Sequence, residues 1–342
     1  MSRYATFYDP SVRKGPGDAR PTALDIIRDE KRENEFTGKV AVVTGCSSGI
    51  GPPTAEALFA TGATLYCTAR DVEKAKKALG PAMMESGRVH VLYMDHTDLA
   101  TVKAASDELH RQVSAISILI NSAGIMTVPT RQETKDGFEM QIGTNHFAHF
   151  YLFCLLRDLL EAGSTPEFAS RVVNVSSSGH RWGSIHLDDL QLAKEGVYTP
   201  SEGYANSKIA NIYMANALDR KYGGRATKAI HGYSVMPGVI RSGLQQYMEN
   251  ADEVFKMPAV HSYSRSPEQG AATSIFAAVA RELEGKGGVY LEDCAIAPAI
   301  DIVDNSPAGQ LAVGFAPWAY DPPKEDLLWT ESLKLVGLPE DF

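Results

Sequence analysis

The stretch Lys39-Val40-Ala41-Val42-Val43-Thr44-Gly45-Cys46-Ser47-Ser48-Gly49-Ile50-Gly51 sets the reading of the whole chain. Six residues, Lys39–Thr44, form a short apolar run that ends in glycines, as a buried parallel strand does. The glycines allow a tight turn and a close approach of backbone to a ligand. A helix starting just after Gly51 would aim free N–H groups and its positive dipole end at a phosphate. Pro52 fits the first helical turn, where a missing N–H costs nothing, and Pro53 is harder to place. The spacing is GxxxGxG rather than GxGxxG. A glycine turn without a ligand is the alternative, but a loop after the first strand of an α/β sheet favours a dinucleotide.

Strands and helices alternate from there onward. Further strands are expected at Ala63–Thr68, Arg88–Met94, Ile116–Asn121, Arg171–Ser176, Lys228–Val235 and Gly288–Leu291. Helices are expected at Thr54–Thr61, Val72–Leu79, Leu99–Val113, Asp136–Leu160 with an interruption, Gly203–Tyr222 and Pro267–Arg281. This rhythm predicts an α/β fold, a single doubly wound (Rossmann) parallel sheet of about seven strands with helices on both faces. The expected division is a loose polar extension over 1–36 with a short helix near Ala23–Asn34, a dinucleotide-binding catalytic domain over 37–292, and a tail over 293–342 packing on it.

The second strand runs into Thr68-Ala69-Arg70-Asp71. A small residue, Ala69, occupies the place where an acidic residue would take the ribose 2′-OH of NAD. Arg70 suits a 2′-phosphate instead, which favours NADP(H) over NAD(H). Arg70 as a solvated charge is the competing reading, and Asp71 reads as the N-cap of the next helix.

Tyr204 and Lys208 stand four residues apart, so a helix places them on one face. A phenol titrates near pH ~10 and is a poor acid or base at neutrality, and a nearby ammonium would lower that value. The same spacing recurs at Tyr320 and Lys324, where Pro322 and Pro323 argue against a regular helix.

Taken together, the motifs resemble the short-chain dehydrogenase/reductase family over Lys39 to Leu291. Thr44–Gly51 matches its TGxxxGxG loop, and Asp95 matches its adenine-side acid. Asn121-Ser122-Ala123-Gly124 matches NNAG with one change. Asn145, Ser177, Tyr204 and Lys208 match the catalytic Asn, Ser and YxxxK, and Pro237-Gly238 with Ser242 matches PGxxx[ST]. Gly143–Phe150 and Gly238–Arg241 look most like the retinol-dehydrogenase and WW-domain-oxidoreductase-like branch. Ser122, His96 and Met236 depart from the usual pattern.

The resemblance implies hydride transfer between a nicotinamide and a carbonyl or carbinol carbon. Tyr204 would be the acid/base, Ser177 would hold the substrate oxygen, Lys208 would bind the ribose and Asn145 would hold a water. The implied cofactor contacts are Gly45, Ser47, Ser48, Gly49, Ile50, Gly51, Arg70, Asp95, His96, Asn121, Ala123, Gly124, Thr144, Tyr204, Lys208, Pro237, Gly238, Val239 and Ser242. A lid is expected over 239–266. Its Tyr247, Met248, Phe255, Met257 and Val260, with Met126, Trp182 and Tyr198, suggest a hydrophobic and fairly bulky substrate.

Other readings of the same set are a non-catalytic NADP(H) sensor and an isomerase or dehydratase. No metal is expected; His146 and His149, three apart, read as packing residues. The net charge of −9 argues against nucleic-acid binding. Cys46, Cys67, Cys154 and Cys294 show no zinc or CxxC spacing and read as reduced thiols. No apolar run is long enough to span a bilayer, so a cytoplasmic protein is expected. A homodimer is left open.

Overall fold

The computed structural model describes residues 2–300, 312–340 and 342. Its strands are β1 (Val40–Thr44), β2 (Thr64–Ala69), β3 (Val89–Tyr93), β4 (Ile118–Asn121), β5 (Ser170–Val175), β6 (Ile230–Met236), β7 (Val289–Glu292) and β8 (Ala295–Ile296). They form one sheet in the order β3-β2-β1-β4-β5-β6-β7-β8. β1 to β7 are parallel, and β8 returns antiparallel to β7. The order reverses between β1 and β4, which opens a crevice beyond their carboxyl ends.

Strand alternation sorts the core into two layers. Ala41 and Val43 of β1 join Ile120, Val173 and Val235 on one face, with Ile26, Leu58 and Phe276 from helices. Val42, Leu119 and Val172 point the other way, into Phe150, Leu156, Tyr213 and Trp329. Helices therefore cover both faces, as a parallel sheet requires.

The eighth strand is the departure from the expected seven. Asp293 and Cys294 both have φ near +55° (55 and 54), the geometry of a two-residue hairpin turn. An Asp-Cys pair followed by a two-residue strand gives no pattern signal. The expected helix over Pro267–Arg281 divides into Pro267–Gly270 and Ala272–Val279. The one over Asp136–Leu160 resolves into Met140–Ile142, a π-helical turn Gly143–Phe147, and Ala148–Gly163.

The N-terminal extension is not loose. Tyr4, Tyr8, Ile26 and Ile27 are buried in the first core layer. Its helix, Ala23–Asp29, is shorter than expected and opens on a reciprocal Thr22–Asp25 capping box. Lys31 and Asn34, at φ 53 and 57, end any helical run. At the other end Pro322 and Pro323 open a helix, Pro322–Leu335, capped by Asp321. Tyr320 lies just outside it and accepts a bond from the Tyr290 N–H at 2.8 Å, so it shares no helix face with Lys324. Trp329 of this helix meets Phe150 edge-on at 5.0 Å. Part of the expected tail, residues 301–311, lies outside the described residues. Among the described residues no helix is long and apolar enough to cross a membrane.

Candidate active site

A cleft of about 670 Å³ opens at the β1/β4 reversal. Gly45, Ser47, Ser48, Gly49, Ile50 and Gly51 form its floor. Gly45 and Gly49 take φ +78° and +63°, and a Cβ on Gly51 would sit 2.2 Å from the Gly45 carbonyl oxygen. No other side chain is tolerated there. The helix Gly51–Ala60 has no side-chain cap, and its prolines carry no N–H. Its first-turn donors are therefore those of Ile50 and Gly51, at the cleft.

Thr44 fastens this loop to the next strand end. Its Oγ1 accepts from the Ser122 and Ala123 N–H groups at 2.8 and 3.0 Å and pairs with His149 Nε2 at 2.9 Å. His149 Nδ1 lies 2.9 Å from the Asn145 carbonyl, which can only accept. His149 is thus the Nδ1–H tautomer, and Thr44 donates to it. His146 pairs with Ser332 Oγ at 3.0 Å. Among the described residues no group of three side chains is placed to ligate a metal.

Three expected residues, Ser177, Tyr204 and Lys208, meet around the end of β5. Ser177 caps a 3₁₀ turn, its Oγ accepting from the Gly179 N–H at 3.0 Å. Gly179 lets the Tyr204 ring pack against this turn, since a Cβ there would lie 2.6 Å from Tyr204 Cε1. Ser177 and Tyr204 both line the cleft. Ser176 is buried and donates to the Lys208 carbonyl at 2.9 Å, so Ser177 is the serine that faces Tyr204. Lys208 Nζ donates to the Val175 carbonyl at 3.0 Å and lies 5.5 Å from the Tyr204 ring centroid.

The electrostatics run against the expectation of an acidified phenol. Burial pushes Tyr204 up to about 12, with the neighbouring Ser177 hydroxyl opposing it. Burial also pulls Lys208 down to about 7. Desolvation disfavours the charged form of each, and it is the largest cause at both.

Asn145 and Asn121 stand one layer behind the cleft wall rather than on it. Asn145 Nδ2 donates to the Ile125 carbonyl and to Ser207 Oγ at 3.0 and 2.9 Å, and its Oδ1 accepts from the Ile125 N–H at 2.9 Å. Gly124 keeps the space between Asn145 and Lys208 open, a Cβ there being 3.1 Å from Asn145 Oδ1 and 3.6 Å from Lys208 Nζ. Asn121 Nδ2 donates to Asn174 Oδ1 at 2.8 Å, bracing β4 against β5. Ser122, Ala123, Gly124 and Thr144 do line the cleft.

Arg70 is exposed at the far rim, and Lys74, one helical turn on, joins it. An exposed lysine in the first turn of a helix gives no sequence signal of its own, so Lys74 is not among the expected contacts. Asp71 caps the Val72–Leu79 helix, accepting from the Lys74 N–H at 2.9 Å, as expected. Asp95 spends Oδ1 on the Thr97 N–H and hydroxyl at 3.0 and 2.8 Å. Beside it His96 is buried, its ring 4.5 Å from that of His149, and its Nε2 has no hydrogen-bond partner among the described residues. Burial pulls His96 down to about 4.

At the opposite end Met126, Trp182, Met248 and Phe255 form an apolar wall with Val254 and Val260. The Trp182 ring is 5.6 Å from that of Tyr204. Pro237, Gly238, Val239 and Ser242 border the same space. Three expected substrate residues do not. Tyr198 turns away to donate to the Val128 carbonyl at 2.7 Å. Tyr247 and Met257 are 38% and 55% exposed, because Val254 and Phe255 take the inward-facing positions of that segment.

The family profile described as short chain dehydrogenase matches residues 39–253. The chain belongs to the short-chain dehydrogenase/reductase family. It is 45% identical over 330 residues to short-chain dehydrogenase/reductase prx1 of Penicillium roqueforti, covering 96% of this chain and 94% of that one. It is 33% identical over 314 residues to retinol dehydrogenase 11 of Mus musculus, covering 90% and 89%. These matches put it in the retinol-dehydrogenase-like branch. An uncharacterised protein from Mycobacterium paratuberculosis has a similar structure, with TM-score 0.66, 30% identity, and coverage of 90% of this chain and 97% of that one.

A short-chain dehydrogenase/reductase uses a nicotinamide dinucleotide, and the cleft suits one. The floor has no room for a Cβ at Gly51. Among the described residues Asp95 Oδ2 accepts no hydrogen bond, and His96 Nε2 is a buried polar atom without a partner at the same end. Ser177, Tyr204 and Lys208 lie between this floor and the apolar wall.

Proposed function

We propose that the protein is an NADP(H)-dependent oxidoreductase that interconverts a carbonyl and an alcohol on a hydrophobic, fairly bulky small molecule. One observation carries the reading: the Ser177 hydroxyl and Tyr204 phenol share a cleft wall that faces Met126, Trp182 and Phe255, with Lys208 buried behind them. A hydroxyl pair beside an apolar chamber suits an uncharged oxygen on a greasy skeleton. The name of the retinol dehydrogenase relative points the same way.

Gly45, Gly49 and Gly51 would admit the pyrophosphate, Asp95 and His96 the adenine, and Pro237, Gly238 and Val239 would flank the nicotinamide. Arg70 and Lys74, two cations at the rim where NAD-binding sheets carry an acid, favour a 2′-phosphate. When bound, the cofactor supplies or accepts the hydride.

The chain's own residues manage the oxygen. Ser177 donates a hydrogen bond to it and holds it beside Tyr204. Tyr204, kept protonated at neutral pH by burial, gives its proton as the carbonyl becomes an alcohol, and takes it back in reverse. Lys208 in its charged form steadies the phenolate left behind. Asn145 fixes Ile125 against the Tyr204 helix and so sets the space beside Lys208. The segment over 239–266 covers the substrate as a lid.

The test is NADPH consumption across a panel of aldehydes and ketones of graded size and polarity. Turnover should favour bulky apolar carbonyls, and Tyr204→Phe should lower it by ~10²–10⁴-fold. Activity confined to small polar aldehydes would remove the substrate assignment. Wild-type turnover by Tyr204→Phe would remove the mechanism.

A further inference from the structure

The two short helices of the lid, Ala251–Lys256 and Pro258–Tyr263, bury only Tyr263. Yet Met248, Val254, Phe255 and Val260 form one wall of the cleft. Their own packing does not hold that wall in place. The carbonyls at the end of a helix lack intrahelical partners. Here they receive one from the N-terminal arm.

Arg20, fully buried in its side chain, donates to the carbonyls of Ser262, Tyr263 and Ser264 at 3.4, 2.8 and 2.6 Å. It also donates to the Gly15 carbonyl at 3.1 Å and pairs with Asp18 at 2.8 Å. Gln269 closes the loop, its Nε2 donating to the Asp18 and Arg20 carbonyls, each at 3.0 Å. Gly15, at φ +106°, lets the arm lie against the lid, since a Cβ there would be 2.8 Å from His261 Nε2.

The arm reaches the lid's beginning as well. Arg265 donates to the Pro237 carbonyl at 3.2 Å and packs so tightly under Gly238 that a Cβ there would be 2.5 Å from its Nε. Its guanidinium lies 4.8 Å from the Tyr8 ring centroid and pairs with Asp293. Asp293 in turn is 3.6 Å from Arg13.

We propose that Arg20 is a positioning residue for substrate: acting through the Ser262–Ser264 carbonyls, it fixes the lid wall at its working distance from Tyr204. A fork that satisfies three successive carbonyls is rigid in a way that a single ammonium is not. The proposal rests on reading this cleft as the carbonyl site, so its test has one arm that needs no turnover.

The full-length chain is compared with Arg20→Lys and Arg20→Ala. Amide hydrogen exchange over 251–262, KM and kcat for a bulky apolar ketone and for a small aldehyde, and NADPH affinity by fluorescence quenching are measured. Loss of charge-assisted hydrogen bonds should speed lid exchange by about tenfold or more. KM for the bulky ketone should rise by a similar factor, while NADPH affinity and kcat for the small aldehyde stay within about twofold. Exchange that rises equally across β1–β6 would mean a merely structural residue and overturn the proposal. So would faster lid exchange with unchanged KM for the bulky ketone. If Arg20→Ala does not fold, Arg20→Lys carries the same signature at smaller size, and wild-type lid exchange in that variant overturns it. Wild-type protein inert toward every carbonyl would strike the functional reading, and the exchange arm would still decide whether Arg20 holds the lid.

Discussion

Lys208 Nζ and the Val175 carbonyl are 3.0 Å apart, a bond that spans from the Tyr204 helix to the end of β5. It places the ammonium under the phenol but leaves it buried, and burial pulls it down to about 7. In the unfolded chain a lysine titrates near ~10.4. Between those values the unfolded state binds the extra proton, so stability rises with pH across that window and is lost as pH falls toward 7. Lys208→Met removes this group. Denaturant unfolding of the cofactor-free protein should show wild type gaining on the variant from pH 7 to pH 10, by at most about 1.4 kcal/mol per pH unit. A constant difference would mean that Lys208 keeps an ordinary value.

Gly179 tests the contact between the Ser177 turn and the Tyr204 ring. An added methyl would lie 2.6 Å from Cε1 and 2.8 Å from Cδ1 of Tyr204, and 3.3 Å from Ser177 Oγ. Gly179→Ala must push the ring aside. Overpacking of this kind costs about 1–3 kcal/mol. The loss of turnover should exceed the loss of stability, seen as kcat falling by about tenfold or more while the protein still melts cooperatively. Dinucleotide affinity should hold.

Arg70 and Lys74 should set cofactor preference. Each hydrogen bond to a charged phosphate contributes about 1.5–3 kcal/mol. Arg70→Ala with Lys74→Ala should weaken NADPH binding by about 10²-fold and leave NADH nearly unchanged. Titration by fluorescence quenching gives both constants. Equal losses for the two cofactors would place the cations at some other part of the molecule.

His180 joins the catalytic turn to the C-terminal segment. Its Nδ1 donates to the Ser177 carbonyl at 2.6 Å, its Nε2 accepts from the Ala316 N–H at 3.0 Å, and its carbonyl accepts from the Trp318 indole at 3.1 Å. His180→Phe leaves the buried Ala316 N–H unpaired, while the Ser177 carbonyl keeps the backbone N–H of residue 180 at 3.1 Å, and should cost on the order of 2 kcal/mol in thermal or denaturant unfolding. Burial pushes His180 down to about 3, as it does His146. An unfolded histidine protonates near ~6.5, so these residues stabilise the fold above that pH and less as pH falls toward 3. The variant should therefore lose less stability than wild type between pH 7 and pH 5.

Local motifs made the central sheet and much of the site readable. The Gly45–Gly51 loop, Ser177, Tyr204 and Lys208 depend on short spacings, and each meets its neighbours through elements that those spacings specify. The two asparagines illustrate the limit. Asn121 and Asn145 sit at recognisable places, yet their side chains point into Asn174, Ile125 and Ser207, partners up to 62 residues away. The N-terminal arm was unreadable for the same reason. Its polar, proline-marked composition suggests a free chain, but Arg20 finds carbonyls 242 to 244 residues downstream. Tyr198, Tyr247 and Met257 show that apolar character near a site does not tell which side of a segment faces inward.

The π-helical turn at Gly143–Phe147 has a consequence for how this chain tolerates change. A π turn amounts to one residue more than an α-helix needs for the same rise. Removing a residue there would close the widened turn into a regular helix, leaving the segments on either side in register but displacing the side chains of the turn itself. Asn145 would then swing off Ile125 and Ser207, while His149 stayed with Thr44. Homologous sequences of this length should therefore admit substitutions in the turn far more readily than a one-residue gap.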